Sequence, residues 1–138
     1  MTDEPARDQP ATDSSTTERE RYEAGMATRR QVLGDEHVDR AVAATTEVTA
    51  DFQNLITRYA WGEIWTRPGL ARRDRSIAVL SSLIALGHWE ELPMHLRAAR
   101  TNGLSREEII EVILQSAIYA GVPAANHAFG IAKDVLAE

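Results

Sequence analysis

Two histidines and a carboxylate recur at helical spacing near the middle of the chain, between positions 87 and 97. At 100° per residue, His88 and His95 fall about 20° apart around a helix axis and about 10 Å apart along it. Glu91 lies between them and precedes His95 by one turn. A carboxylate at this spacing can fix the tautomer of an imidazole and stabilise its protonated form. The pattern therefore indicates a site that transfers protons.

Positive charge lies a short distance upstream, where Arg75 and Ser76 follow the start of an apolar helix. An arginine at this place could bind an anionic substrate through its guanidinium group. A guanidinium that is covered by protein needs a partner, and Asp74, Glu63 or Glu91 could equally supply one. The sequence leaves both interpretations of Arg75 open.

Large aromatic side chains are concentrated at Tyr59, Trp61 and Trp65, just before a Pro-Gly turn at positions 68 and 69. In one interpretation these rings pack in the core or against another subunit. In the other, Trp61 and Glu63 line the mouth of a substrate pocket. The pattern is compatible with both.

Pro93 restricts where the helix that carries His95 can begin, because proline is tolerated only in the first helical turn. We expect a regular helix from about Glu90, with His88 at or before its cap. The pair formed by Glu91 and His95 is then the firmer part of the pattern. His88 is either a hydrogen-bonded structural residue or a residue of the pocket.

The first 16 residues contain prolines, acidic residues and serines, with hardly an apolar side chain beyond alanine. Such a segment buries too little apolar surface to offset the entropy lost on ordering. We therefore expect a disordered tail over residues 1–16 and one folded domain over residues 17–138.

Helical signals follow one another along that domain, without strand-like alternation. Capping-box pairs, Thr17 with Glu20 and Ser105 with Glu108, predict two helix starts. The first helix has so thin an apolar face that we expect an arm lying on a neighbour, and Asp35 is expected to cap the second. The helix over residues 71–86 is apolar nearly all round and is expected to be buried at the centre. The chain is predicted to be all-α, with about six helices and short loops.

Composition excludes several classes of function. The net charge is −6, and the scattered arginines do not make the basic face that a nucleic acid needs. There is no cysteine, which excludes disulfides, thiolate metal sites and thiol redox chemistry. No segment approaches the ~20 apolar residues of a membrane span, and no apolar signal core is present. We expect a soluble, cytoplasmic protein with no nucleic-acid or membrane partner.

Five motifs follow one another in a fixed order. They are Tyr-Ala-Trp-Gly-Glu-Ile-Trp-Thr-Arg-Pro-Gly-Leu at 59–70, Arg-Ser at 75–76, Glu-Leu-Pro-Met-His at 91–95, Asn-Gly-Leu at 102–104 and Tyr-Ala-Gly-Val-Pro-Ala-Ala at 119–125. Together they resemble the carboxymuconolactone decarboxylase family of the alkylhydroperoxidase D-like superfamily. The resemblance covers about residues 21–138, and the ordered set is much more specific than any single motif.

The resemblance implies an alkylhydroperoxidase D-like helical fold assembled as a ring-shaped homo-oligomer, a hexamer or else a trimer, with no metal or organic cofactor. The reaction it implies is decarboxylation of the small anionic lactone 4-carboxymuconolactone to 3-oxoadipate enol-lactone, in the protocatechuate branch of the β-ketoadipate pathway. The catalytic residues it implies are His95, Glu91 and Arg75. The substrate-binding residues are Ser76, His88, Trp61 and Glu63.

The wider superfamily also contains peroxidases that use a glutamate, a Cys-x-x-Cys pair and a histidine. When that histidine is placed on His95, the cysteine positions fall on His88 and Glu91, and the glutamate position falls on Ser76. All three differ from the redox pattern. Without a thiol, hydroperoxide reduction is excluded, and decarboxylation remains.

Two other functions stay open. A related decarboxylase or isomerase could keep Arg75, Glu91 and His95 and act on another small carboxylated lactone or keto acid. Alternatively, these three side chains could form an ion network at a subunit interface of a non-catalytic helical assembly.

Overall fold

The structure is a computed structural model that describes residues 16–138. Apart from Thr16, the tail predicted over residues 1–16 lies outside the described residues. Within the described part every regular element is a helix, which confirms the all-α prediction. None of the helices in this part is long and apolar enough to cross a membrane.

Seven α-helices and one π-helical segment make up residues 16–138. In chain order they are α1 (Glu18–Leu33), α2 (Asp35–Ala44), α3 (Ala50–Leu55), the π segment (Ile56–Ile64), α4 (Arg72–Leu86), α5 (Leu92–Thr101), α6 (Arg106–Tyr119) and α7 (Val122–Val135). The number exceeds six because the chain between α1 and α4 is divided. Its break lies at residues 45–49, where the Thr49 hydroxyl accepts a hydrogen bond from the Thr46 N–H at 3.1 Å.

Both predicted capping boxes are present. The Thr17 hydroxyl accepts from the Glu20 N–H at 3.1 Å, and the Glu20 carboxylate accepts from the Thr17 N–H at 3.2 Å. Ser105 and Glu108 make the same reciprocal pair at 3.0 and 3.0 Å. Each box satisfies backbone N–H groups that a helix start leaves free, so both helix starts are confirmed.

The junction of α1 and α2 differs from the prediction. Gly34 ends α1 with a φ of 87° and also occupies the cap position of α2. Asp35 is already the first helical residue and makes no capping hydrogen bond. Its carboxylate instead accepts from Arg30 at 3.1 Å. The prediction that Asp35 caps α2 is wrong because the glycine lets the chain turn within one residue.

Helices α4 to α7 pack around the larger of two hydrophobic clusters. Its fully buried side chains include Leu80, Ile84, Leu92, Leu96, Leu104, Ile109 and Ile113. Helix α4 buries only Ser76, Leu80 and Ile84, and Leu86 near its end is 69% exposed. The prediction that α4 is the buried central helix is therefore wrong for one of its faces in the single chain, where Ala78, Ala85 and Leu86 are exposed within residues 16–138.

Helix α1 lies across the π segment at a very short distance. A Cβ atom on Gly25 would come within 1.9 Å of the Thr57 carbonyl oxygen. This approach brings Val32, which is 1% exposed, into a second cluster with residues of the π segment and α5. The expectation that α1 is a peripheral arm is wrong, because a glycine in its thin face allows it to pack closely.

Candidate active site

Trp61 and Trp65 stack with ring centroids 5.2 Å apart and lie against Val32 of α1 and Ala98 of α5. We call these four residues the tryptophan seam. Trp61 and Trp65 are 6% and 8% exposed, whereas Tyr59 is 40% exposed, so the packing interpretation is confirmed for the two tryptophans and is wrong for Tyr59 in the single chain. The wide π turn, in which the Trp65 N–H donates to the carbonyl of Ala60 at 3.0 Å, gives the two rings this arrangement.

The guanidinium of Arg75 has no carboxylate partner among residues 16–138. Its Nη2 donates to the carbonyl oxygen of Arg67 at 2.9 Å, and its Nε is buried without an acceptor in the described chain. The predicted alternatives, ion pairs with Asp74, Glu63 or Glu91, are not formed. Arg75 is therefore a positioned cation with donor capacity left for an anion.

Ser76 and Asn102 join the start of α4 to the end of α5. The Asn102 Nδ2 donates to the buried Ser76 hydroxyl at 2.9 Å. The bond places α4 and α5 side by side in opposite directions, with Arg75 beside the end of α5. It also occupies the Ser76 hydroxyl within the chain.

Arg75 and His95 lie on α4 and α5, and each of these helices places one residue in or against the tryptophan seam. Arg75 precedes Val79, which packs on the seam, by one turn of α4. His95 precedes Ala98 by nearly one turn of α5. Because the two helices run in opposite directions and Ser76 contacts Asn102, the backbone positions of Arg75 and His95 are separated by about 10 Å along α5.

His95 is half-buried, and its environment changes its basicity. Burial lowers the pKa of His95, the negative charge of Glu91 opposes that change, and His37 adds to it. His37 on α2 was missed by the sequence analysis, since no spacing rule relates positions so far apart. It lines a surface cleft together with Leu33 and Met94. Burial also lowers the pKa of His37.

Helix α5 begins at Leu92, two residues later than predicted, and Glu91 occupies the cap position without a capping bond. Glu91 is exposed, and no side-chain hydrogen bond joins it to His95 within the described chain. His88 lies outside the helix, where its N–H donates to the Leu83 carbonyl at 2.9 Å. His88 therefore lies before the cap of α5, as Pro93 predicted, and it does not share a helix face with His95, because the turn after α4 occupies residues 87–91.

Glu63 is half-exposed, and its carboxylate pairs with Arg21 at 3.4 Å and with Arg67 at 3.9 Å. Its negative charge is therefore already balanced by two arginines. Trp89, next to His88, stacks on His127 of α7 at 4.2 Å and holds the loop between α4 and α5. Within residues 16–138, no group of three or more His, Cys, Asp or Glu side chains is arranged to hold a metal ion.

Comparison with known proteins decides the family. A family model described as "Carboxymuconolactone decarboxylase family" matches residues 50–134, from α3 to α7. The chain belongs to the carboxymuconolactone decarboxylase family. The family match includes the tryptophans of the seam, Arg75 and His95, whereas α1 and α2 precede it.

Two relatives match most of this decarboxylase-family chain. A protein of Acinetobacter baylyi named 4-carboxymuconolactone decarboxylase is 47% identical over 116 residues, covering 84% of this chain and 87% of the relative. A Metarhizium robertsii protein named nitrosuccinic acid decarboxylase npaB is 38% identical over 115 residues, covering 83% and 80%. A shorter Pseudomonas putida sequence, also named 4-carboxymuconolactone decarboxylase, is 50% identical over 46 residues, which are 33% of this chain and 96% of the relative.

Proposed function

We propose that this protein removes CO₂ from 4-carboxymuconolactone and releases 3-oxoadipate enol-lactone, in the protocatechuate branch of the β-ketoadipate pathway. The Acinetobacter relative, 47% identical over 84% of this chain, supports the substrate. One structural observation supports the chemistry most directly. Arg75, a cation without a carboxylate partner among residues 16–138, and the half-buried His95 lie on α4 and α5, the helices that place Val79 and Ala98 against the two tryptophans.

The substrate itself supplies the electron sink. The carboxylate that leaves is γ to the conjugated carbonyl of the lactone ring, so the electron pair of the breaking C–C bond moves through the ring to the carbonyl oxygen. A dienolate results. Protonation at the carbon α to the carbonyl then gives the enol-lactone, and the proton donor recovers its proton from water. The protein must hold the anion, stabilise charge on oxygen and supply one proton.

Each role has a side chain of suitable chemistry. Arg75 binds a substrate carboxylate through the N–H groups that the Arg67 carbonyl leaves free. His95 protonates the dienolate, and the low pKa that burial causes makes its imidazolium a stronger acid. Glu91 acts through its negative charge, which favours the protonated ring and orients it.

The remaining predicted binding residues surround this pair. Ser76 positions Arg75 through its bond to Asn102. Trp61 forms an apolar wall that excludes water from the departing carboxylate, which raises the energy of the bound anion relative to neutral CO₂. His88 and Glu63 are exposed or half-exposed, and we place them at the entrance of the pocket.

We further propose that the chain acts as a homo-oligomer, a hexamer or else a trimer. Several large apolar side chains on α6 and at the start of α7 are exposed to solvent in the single chain. Ile118 is 81% exposed, Tyr119 83%, Val122 70% and Leu114 48%. Contiguous apolar surface of this kind is typical of a subunit interface.

A second candidate substrate class is supported by the Metarhizium relative, which is named as a decarboxylase of nitrosuccinic acid. At 38% identity the same framework is associated with a different small acid. We therefore keep, as the alternative, decarboxylation of another small carboxylated compound at the same site.

The decisive experiment supplies the purified protein with 4-carboxymuconolactone and, in parallel, with nitrosuccinate, and follows CO₂ release from each. We expect rapid turnover of the lactone and little of the nitro acid. The opposite preference would support the alternative. Release from neither substrate by a folded, assembled protein would favour a non-catalytic helical assembly.

A further inference from the structure

Arg29 is a buried cation without an anion. Its side chain on α1 is 5% exposed. Nη1 donates to the Thr57 hydroxyl at 3.3 Å and Nη2 to the Gln53 side-chain oxygen at 3.0 Å, both neutral acceptors. Its Nε is buried and has no acceptor within residues 16–138. No ion pair to a described carboxylate is formed.

Such a group is expensive to bury. An arginine cannot discharge by losing its proton in the accessible pH range, and an unpaired charge away from water is strongly disfavoured. Burial lowers the pKa of Arg29, and no carboxylate acts in the opposite direction. Two neutral hydrogen bonds leave three of the five guanidinium N–H groups available. Free N–H groups on a fixed guanidinium can donate charge-assisted hydrogen bonds to a bound anion.

The guanidinium lies in the wall of a cleft between α1, α2 and α3, with a volume of about 320 Å³. Met26, Val42 and Ala50 give the cleft an apolar part, while Thr45 and Asn54 add neutral hydrogen-bonding groups. Of the described residues that line it, none is Asp or Glu. The size lies at the lower end for small-molecule sites, and the chemistry suits a carboxylate on a short apolar body.

We propose that this cleft binds a small aliphatic carboxylate, whose oxygens accept from the guanidinium donors that Thr57 and Gln53 leave free. The lining does not include Arg75, His95 or the tryptophans of the seam. The site is therefore additional to the one assigned to decarboxylation, and the proposal does not depend on that reaction.

Butyrate is a suitable probe, with butyramide as its neutral counterpart of similar shape. Titration calorimetry on the full chain should show saturable binding of butyrate and none of butyramide at equal ionic strength. Arg29→Met should weaken butyrate binding by at least about tenfold, since charge-assisted hydrogen bonds are lost. Arg19→Met removes an exposed arginine of the same helix and should leave the affinity unchanged. Arg75→Met should also retain the binding that depends on Arg29.

A second variant, which leaves Arg29 unchanged, tests the proposal independently. Val42 is 50% exposed at the cleft, and Val42→Trp should fill the cleft and reduce butyrate affinity by about tenfold even if Arg29→Met folds poorly. Equal butyrate affinity in wild type and a folded Arg29→Met variant would overturn the proposal. So would the absence of saturable binding to the folded wild-type protein. Dissociation of the assembly by a folded Arg29→Met variant would also overturn it. That result would mean that, in the wild-type assembly, a carboxylate of a second copy occupies the cleft.

Discussion

Gly62 faces Arg21 so closely that a Cβ atom at position 62 would come within 2.3 Å of the Arg21 carbonyl oxygen. The helix crossing of α1 and the π segment therefore depends on the missing side chain. Trp61, the preceding residue, is carried into the seam by the same backbone. The contact links a feature of local sequence, one glycine, to the wall of the candidate active site.

Replacing Gly62 with alanine should destabilise the protein. The added methyl group overlaps backbone atoms that cannot rotate away, and overpacking of this kind costs about 1–3 kcal/mol. Urea unfolding measures the change. Gly130→Ala is the matched control, because Gly130 lies in α7 with nothing within 4 Å of its would-be Cβ. That variant should gain about 0.5–1 kcal/mol from helix propensity. Equal effects of both substitutions would contradict the close crossing.

Arg75→Met should raise KM for the lactone by about 10–100-fold, since a charged hydrogen-bonding partner of the substrate is lost. Steady-state CO₂ release measures KM and kcat. Arg106→Met provides a control with the same chemical change, because Arg106 is exposed in the first turn of α6. An unchanged KM in Arg75→Met would remove Arg75 from the substrate site.

His95→Gln should lower turnover by ~10²-fold or more, because glutamine cannot donate a proton to the dienolate. The assembly should remain intact, which size-exclusion chromatography with light scattering checks. His127→Gln changes an exposed histidine that stacks on Trp89 and should keep turnover near the wild-type value. Normal turnover in His95→Gln would rule out the assignment.

The free energy of unfolding should fall as the pH is lowered from about 7 to 5.5. Burial lowers the folded pKa of both His95 and His37, so the unfolded chain, with a histidine pKa near 6.5, binds protons more readily. Their contribution is therefore full above about pH 6.5 and is lost as the pH falls through the folded values. The double variant His37→Gln, His95→Gln should show a flatter profile.

Above pH 5.5 the loss of stability caused by the histidines can be measured without a contribution from protonation of the carboxylates. Hydrogen bonds to arginine lower the pKa of Glu18 and Glu138, and this stabilisation is lost only below their ordinary value of 4.5. Urea unfolding at several pH values gives the profile. A double variant with the same slope as wild type would show that neither histidine is protonated differently in the two states.

Ile118→Glu should reduce the mass of the assembly. The side chain is 81% exposed in the single chain, and a charge placed in an apolar interface is left without a partner. Light scattering after size-exclusion chromatography measures the mass. Lys133→Glu changes an exposed, polar position of α7 and should leave the mass unchanged. If Ile118→Glu assembles like wild type, this surface is not the interface.

The sequence by itself determined the helical class and most of the helix ends, because capping boxes, glycines and apolar periodicity act within a few residues. It also singled out Arg75 and His95, which belong to short motifs in a recognisable order. The start of α5 was misplaced by two residues, since Glu90 and Glu91 fit a helix as well as they fit the turn that the structure places there.

Only the tertiary structure decided which groups share a surface. The influence of His37 on His95 and the bonds of Arg29 to Gln53 and Thr57 join positions far apart in the chain. No local spacing predicts such contacts, because they arise from how whole helices cross. The burial of α4 was overestimated for a related reason: apolar sequence reports that a face will be covered, but not whether this chain or another copy covers it.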